Sequence, residues 1–473
     1  MSDTNASDNA TATDSTTEAA GTPALSEESI RSSGEMLSAI RQGAQQGVFR
    51  AVDYVAEPAP GYNTRGVWFS AGLNYRSGYA HVALADALLV RNLSVPSFFI
   101  PHRAEMIDWD IVPEDRKELL GEYQRDVVGI GELLIAEWPP HEAVRMTGVS
   151  DLFVMRTTSE TDRVSKMAAD MCNIDAVHKV WFPSEFARQS FIAGGVREER
   201  TRTLLPPVIG DHLGLWKPRV VPNTAPVDDK NPFNFGAMGT FQARKGFGHL
   251  IRAYYSAFSA SDPVVLTIRT SPFGKFRTIQ ELRTEIERQV KIIRADFGPE
   301  AANKGFPRIR FLVGTELTDK EMIEWLGSLD CYANPSFGEG TGLPLLYART
   351  SGVPIVTNLF GGVAESMGGE FGATLMQYLD DNKHPYDSIV PHTLKNIPSE
   401  MLRMNSIFEA DLQWADYVPQ EMGEAMRWQF ERGRRRNELG ARITANKFSA
   451  ERLKPIFLDA LSEFVDVSRW VKK

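Results

Sequence analysis

The run Asn334-Pro335-Ser336-Phe337-Gly338-Glu339-Gly340-Thr341-Gly342-Leu343-Pro344 is where this chain concentrates residues able to do chemistry. An apolar strand ends at Asn334, a glycine-rich loop follows, and Pro344 opens a helix, where its missing N–H and preset φ cost nothing. The amides of Gly342 and Leu343 then point outward with the positive end of the helix dipole, which suits a phosphate. Glu339 lies just before that terminus, separated from it by Gly340 and Thr341. Its carboxylate can accept hydrogen bonds from the hydroxyls of a sugar. An ordinary turn with a solvated glutamate is the competing reading of the same residues.

Two further segments carry related signals. Thr240 is followed by Phe241-Gln242-Ala243-Arg244-Lys245-Gly246, which comes after an apolar strand and opens a helix. Lys245, with Arg244, would supply fixed positive charge where a diphosphate leaves; a plain surface Arg-Lys pair is the alternative. Downstream, Thr357-Asn358-Leu359-Phe360-Gly361-Gly362-Val363-Ala364-Glu365 is a strand and a Gly-Gly turn that permits close backbone approach.

Elements of alternating type must hold these loops. Short β-branched and aromatic runs at Gly66–Ser70, Val95–Ile100, Asp151–Met155, Val180–Phe182 and Thr203–Leu205 alternate with helical stretches, one of them through His81 to Val90. This pattern predicts a parallel sheet with helices on both faces. Pro218, Pro222, Pro226 and Pro232 then punctuate a polar stretch without periodicity, as a linker does. A second series follows at Phe233–Met238, Val264–Ile268, Ile309–Val313, Cys331–Asn334 and Val353–Thr357, with helices at Gly246–Phe258 and Asp319–Leu326. The chain divides accordingly into a leader with a helix over Glu27–Gln45 (1–45), an N-terminal Rossmann-like domain (46–210), a linker (211–232), a C-terminal Rossmann-like domain (233–440) and C-terminal helices (441–473). Those last helices read as broken near Gly440 and Pro455 and are placed to pack back on the N-terminal domain. The expected fold is α/β, two doubly wound domains facing across a cleft, with ligands beyond the carboxyl ends of the strands.

These pieces, in this order, resemble the retaining family-4 glycosyltransferases of the GT-B fold. Arg244-Lys245-Gly246, the run Asp330 to Pro354, and Gly361 to Glu365 carry the match. Val180-Trp181-Phe182-Pro183-Ser184-Glu185-Phe186-Ala187-Arg188 with Gly195-Val196, Arg76-Ser77-Gly78-Tyr79 and Thr158-Ser159-Glu160-Thr161 add weaker matches in the N-terminal half. The resemblance implies transfer of a sugar, with retention, from a nucleoside-diphosphate donor to a saccharide, lipid-linked or small-molecule acceptor, with no metal and no cofactor beyond the donor. It implies that Lys245 and Arg244 bind the diphosphate and Glu339 the donor sugar, while the Gly342 and Leu343 amides cradle phosphate. Thr240, Gly340, Thr341, Gly362 and Glu365 fall on the donor side, and Gly78 lets the N-terminal loop approach. The leaving phosphate itself would help to deprotonate the acceptor. From their own positions His102, just after the Val95–Ile100 run, and Glu160 are candidates on the acceptor side, against a capping or solvent role for the one and a plain surface glutamate for the other. Two departures stand out. Tyr347 occupies the position of a second glutamate that grips the ribose hydroxyls, and a phenol cannot accept two bonds as a carboxylate does. Thr240 stands where an arginine is often found.

Composition narrows the classes. A net charge of −9 argues against a surface built throughout for nucleic acid. One basic run, Arg427, Arg432, Arg434, Arg435, Arg436 and Arg442, could still hold the phosphates of DNA or of an anionic membrane. It motivates a second reading, the same donor chemistry on a modified DNA base. Tyr347 motivates a third, a GT-B protein that binds a nucleotide or glycan without turnover. Cys172 and Cys331 are too few for a disulfide framework and fit a reducing, cytoplasmic setting. No run is long and apolar enough for a transmembrane helix, and the Ser/Thr/Asp-rich start lacks the features of a signal peptide. Asp108-Trp109-Asp110 has the form of a metal-binding pair but lacks the apolar strand that should precede it.

Overall fold

The computed structural model describes residues 66–72, 77–95, 97–103, 106–107, 113–120, 133–208, 225–272, 276–369, 386–399, 402 and 408–467. The leader, including the helix expected over Glu27–Gln45, Arg76, Asp108 and Asp110, and most of the linker lie outside the described residues.

The first sheet is built from β1 (Val67–Ala71), β2 (Ser97–Arg103), β3 (Met106–Ile107), β4 (Leu133–Glu137), β5 (Leu152–Arg156), β6 (Lys179–Phe182) and β7 (Thr201–Thr203). Their spatial order is β3-β2-β1-β4-β5-β6-β7, parallel throughout except for the β2–β3 pair. Parallel sheets are covered on both faces, so their strands bury every residue instead of alternating; β1 and β4 do so. The covering helices include α1 (Gly78–Asn92), α2 (Glu114–Leu120), α3 (Pro140–Ala143), α4 (Lys166–Cys172) and α5 (Glu185–Ala193). Ser77, Ser165 and Ser184 start α1, α4 and α5, each hydroxyl accepting from an amide in the first turn.

The second sheet comprises β8 (Phe233–Met238), β9 (Val264–Thr270), β10 (Arg308–Val313), β11 (Cys331–Asn334), β12 (Ile355–Thr357) and β13 (Ser388–Ile389). Its order is β10-β9-β8-β11-β12-β13, all parallel. Around it run α6 (Phe247–Ala257), α7 (Ile279–Asp296), α8 (Gly298–Lys304), α9 (Asp319–Ser328), α10 (Leu343–Thr350), α11 (Val363–Ser366) and α12 (Pro419–Glu431). Thr278 with Glu281, and Thr318 with Glu321, close reciprocal capping boxes on α7 and α9. An antiparallel pair, β14 (Thr393–Asn396) and β15 (Gln413–Asp416), reaches the first domain, where Asp162 and Gln413 exchange hydrogen bonds. Strand order reverses between β1 and β4 in one sheet and between β8 and β11 in the other. The crevice beyond those carboxyl ends is where this topology puts a ligand.

The chain then returns through α13 (Glu438–Lys447) and α14 (Ala450–Ser462). Leu453, Phe457 and Leu461 of α14 are buried with Val67, Phe69 and Val154 of the first sheet. The expected breaks fall elsewhere: the helices stop at Glu431 and Lys447, and Gly440 and Pro455 lie inside α13 and α14. Gly440 is there to make room, since a Cβ would sit 2.6 Å from the Arg349 guanidinium. Pro455 is on the exposed face, where water can serve the carbonyl its ring leaves unpaired.

Beneath α1, one cation meets two acids. Arg156 pairs with both Asp86 and Glu137 and donates to the Leu204 carbonyl, and all three side chains are buried. Two ionised carboxylates would leave a net negative charge out of water, so burial pushes Asp86 up to about 6 and Glu137 well above its ordinary value. The pair therefore holds a proton more tightly folded than unfolded. That contribution to stability is complete below the ordinary carboxylate range and is lost as pH rises through about 6 and beyond. In Asp86→Asn, whose amide cannot ionise, thermal midpoints measured from pH 4.5 to 7.5 should fall less steeply than in the wild type; equal slopes would contradict the shared proton.

Candidate functional site

β8 ends at Met238, and the chain passes Thr240 into a single 3₁₀ turn, Ala243–Lys245, before entering α6. Gly246 joins the two at φ 63°, and a Cβ there would fall 2.1 Å from the Pro335 carbonyl oxygen. Only glycine lets this loop lie directly on the loop that follows β11. That contact delivers Lys245 to Glu339, with Nζ 2.6 Å from Oε1. Arg244 lies alongside, Nη1 3.7 Å from the other Glu339 oxygen and donating to the Gly338 carbonyl. Its Nη2 reaches 3.1 Å across to Glu160 of the first domain. Lys245, Arg244, Glu339 and Glu160 thus form one cluster.

The charges in it oppose and support one another. Burial pulls the Lys245 ammonium below its ordinary value, and Arg244 pushes the same way against the attraction of Glu339. Burial works against the Glu339 carboxylate too, yet Lys245 and Arg244 outweigh it and hold that carboxyl below its usual range.

The amino end of α10 completes the arrangement. Gly342 caps it at φ 77°, Leu343 is its first residue and Pro344 its second, one place later than expected. Gly342 sits against the Glu339 side chain, its notional Cβ 3.7 Å from that residue's own. Gly78, the exposed first residue of α1, lies 3.9 Å by the same measure from the Leu343 side chain. The amino ends of α1 and α10 therefore meet across the two domains. Thr341 is held by its carbonyl, which accepts from the Ser366 hydroxyl, and the Thr240 hydroxyl accepts from Gln242.

No protein-family model and no curated protein matches the chain. Solved structures of Anabaena HepE do. The complex with UDP-glucose superposes with a TM-score of 0.53 at 15% identity, covering 84% of this chain and 99% of that one. The complex with UDP gives 0.52 at 15% over 84% and 100%, and that with UDP and glucose gives 0.51 at 15% over 85% and 100%. The chain has the GT-B fold.

Several residues assigned to the donor side also make contacts across the GT-B cleft. A Cβ at Gly340 would fall 1.9 Å from the Thr158 hydroxyl of the opposite domain, and its carbonyl accepts from Ser184 at 2.6 Å. Gly362 lies against that same carbonyl. The carboxylate of Glu365 accepts from the amides of Glu185 and Phe186 at 2.9 and 3.2 Å, occupying the positive end of α5. Burial raises its pKa. The Tyr347 hydroxyl is 2.7 Å from His81 Nε2, whose other ring nitrogen is 3.6 Å from Asp319. Asp319 receives a two-pronged bond from Arg116 at 2.9 and 3.1 Å. His81 and Arg116 come from one domain, Tyr347 and Asp319 from the other. His102 lies in β2, opposite Ile107, with its side chain outside the described residues.

Much of the basic run is engaged with the protein itself. Arg427 binds Asp262 and the Ala257 carbonyl. Arg434 binds Asp330 and the carbonyls of Ala225, Asn231 and Pro232, tying down the linker's end. Arg436 takes the carbonyls of Gly327 and Leu329 at the end of α9. Arg432 stacks over Trp428. Among the described residues, no group of three His, Cys, Asp or Glu is placed to hold a metal ion, and no helix is long and apolar enough to cross a membrane.

Asp319→Ala would remove the carboxylate that pairs with the Arg116 guanidinium, which is 0% exposed. Such a loss costs about 3–5 kcal/mol, against about 1 kcal/mol for Tyr347→Phe, which removes one hydrogen bond. Urea unfolding should rank the two variants in that order.

Proposed function

We propose that this chain transfers a glycosyl group, with retention, from a nucleoside-diphosphate sugar held by residues 233–440 to an acceptor hydroxyl presented by residues 46–210, in the cytoplasm. The observation that carries the reading is the convergence of Lys245, Arg244, Glu339 and the amino end of α10 in the cleft. Negative charge develops on the diphosphate as the glycosidic bond breaks. Two cations and a helix terminus, fixed and largely withdrawn from water, stabilise that charge without reorganising, and need no bound metal to do so. Glu339, anchored by Lys245, is placed to accept from sugar hydroxyls, and the departing phosphate oxygen takes the acceptor's proton. The HepE structures contain UDP-glucose, UDP or UDP with glucose, which makes UDP-sugars the first donors to test.

The contacts of Arg427, Arg434 and Arg436 with the protein itself favour a saccharide, lipid-linked or small-molecule acceptor over DNA. The Tyr347–His81 bond keeps a non-catalytic reading in play, because that hydroxyl is engaged within the protein. A turnover assay separates the two remaining readings.

Thermal stabilisation by a panel of nucleotide-sugars should identify a donor, since binding to the folded state raises the midpoint by mass action. With that donor, Lys245→Ala should lower kcat/KM by about 10²–10³, the usual loss of one oxyanion-type donor, and Glu339→Ala should lower it comparably. A wild-type protein that no nucleotide-sugar stabilises would end the proposal.

A further inference from the structure

Both cations of the cluster already have carboxylates, and the two carboxylates are not equivalent. Glu339 belongs to the same loop system as Lys245, and its backbone is pinned because its carbonyl accepts from the Gly362 amide at 2.8 Å. Glu160 comes from the other domain. Its backbone is wedged in place: a Cβ at Gly338 would fall 2.0 Å from the Glu160 carbonyl oxygen. On either side, Ser159 and Thr161 bond to each other, and the Asp162 amide donates to Gln413. The Glu160 side chain itself is partly open to water, with 27% of its surface exposed. A carboxylate tethered by its own backbone and still reached by solvent therefore sits on the guanidinium that a diphosphate would take.

Resting on the proposed donor chemistry, we infer that Glu160 is a placeholder anion: it occupies Arg244 in the empty cleft, yields it to the donor's diphosphate, and returns to displace the nucleoside diphosphate after transfer. It is a positioning residue acting through Arg244. Two physical facts favour the exchange. A diphosphate carries more charge than one carboxylate and wins Arg244 when present, while the carboxylate, held by its own backbone, is always at high local concentration when phosphate loosens. Without Glu160, Arg244 would instead share the Glu339 carboxylate with a repelling Lys245, and the cleft would lose an ion pair that joins both domains at the cluster.

A structural role and a competitor role predict opposite signs. A residue that only braces the site weakens nucleotide binding when changed, whereas removing an internal competitor strengthens it. Calorimetric titration with UDP, ADP and GDP identifies the diphosphate that binds the wild type, and that probe is then used throughout. Glu160→Gln should bind it about fivefold more tightly, the worth of a partly exposed ion pair. Most of that gain should appear as slower release in stopped-flow displacement. It should shrink at high salt, and Glu160→Asp should remain close to wild type. Unchanged or weaker binding in Glu160→Gln, with binding lost in Lys245→Ala, overturns the placeholder and leaves the donor site standing. Failure of all three diphosphates to bind the wild type overturns the donor reading and the placeholder with it.

Discussion

Two neighbouring cations withdrawn from water cannot stand alone, and much of this molecule's organisation follows from how Lys245 and Arg244 are neutralised. Taking charges out of water costs several kcal/mol each unless an opposite charge lies close in good geometry. Glu339 serves Lys245 from the next loop of the same sheet, which requires β8 and β11 to be adjacent and in register, as Cys331 opposite Phe235 makes them. Arg244 is served by Glu160 from the other domain. The domains must therefore meet at one register. Ser184 on Gly340, Glu365 on the start of α5, and the Arg116–Asp319–His81–Tyr347 chain all fasten that same register.

The fastening is achieved by close backbone approach more than by side-chain bulk. The loops after β8, β11 and β12 carry glycines where neighbouring backbone or a hydroxyl comes within about 2 Å of a notional Cβ. Such contacts tolerate little drift, because any side chain in them is excluded by hard-core repulsion. Polar groups are then placed by short connections from paired strands, not by long flexible arms.

How much of this is legible from sequence varies with the physics of each feature. β8 and β11 are found at their true bounds, since Phe233–Met238 and Cys331–Asn334 are apolar runs ended by turn-forming residues. The Lys245–Glu339 pairing is legible as well, because adjacent strands bring their following loops together. β4 is passed over, although it flanks the reversal of strand order: Leu133–Glu137 is short, uniformly buried and without the alternation that marks a strand. The glycines announce close approach without naming the partner, which proves to be the opposite domain at Gly340. The interdomain chain is invisible because His81 and Tyr347 are 266 positions apart and neither belongs to a local pattern that demands the other. The arginine density misleads for a related reason. A guanidinium's planar fork satisfies carbonyls at helix ends and in linkers as readily as it binds phosphate, and only tertiary contacts tell the uses apart.

The return of α14 to the first sheet alters what counts as a module here. Its Leu453, Phe457 and Leu461 complete the same core as Val67 and Phe69, while Arg202 on β7 is clasped by Asp459 and Glu463. The N-terminal half is thus finished by the last helix among the described residues. A chimera that exchanges N-terminal halves between proteins of this fold must carry this helix along with residues hundreds of positions upstream, or it will leave an apolar groove open on one parent and a surplus helix on the other.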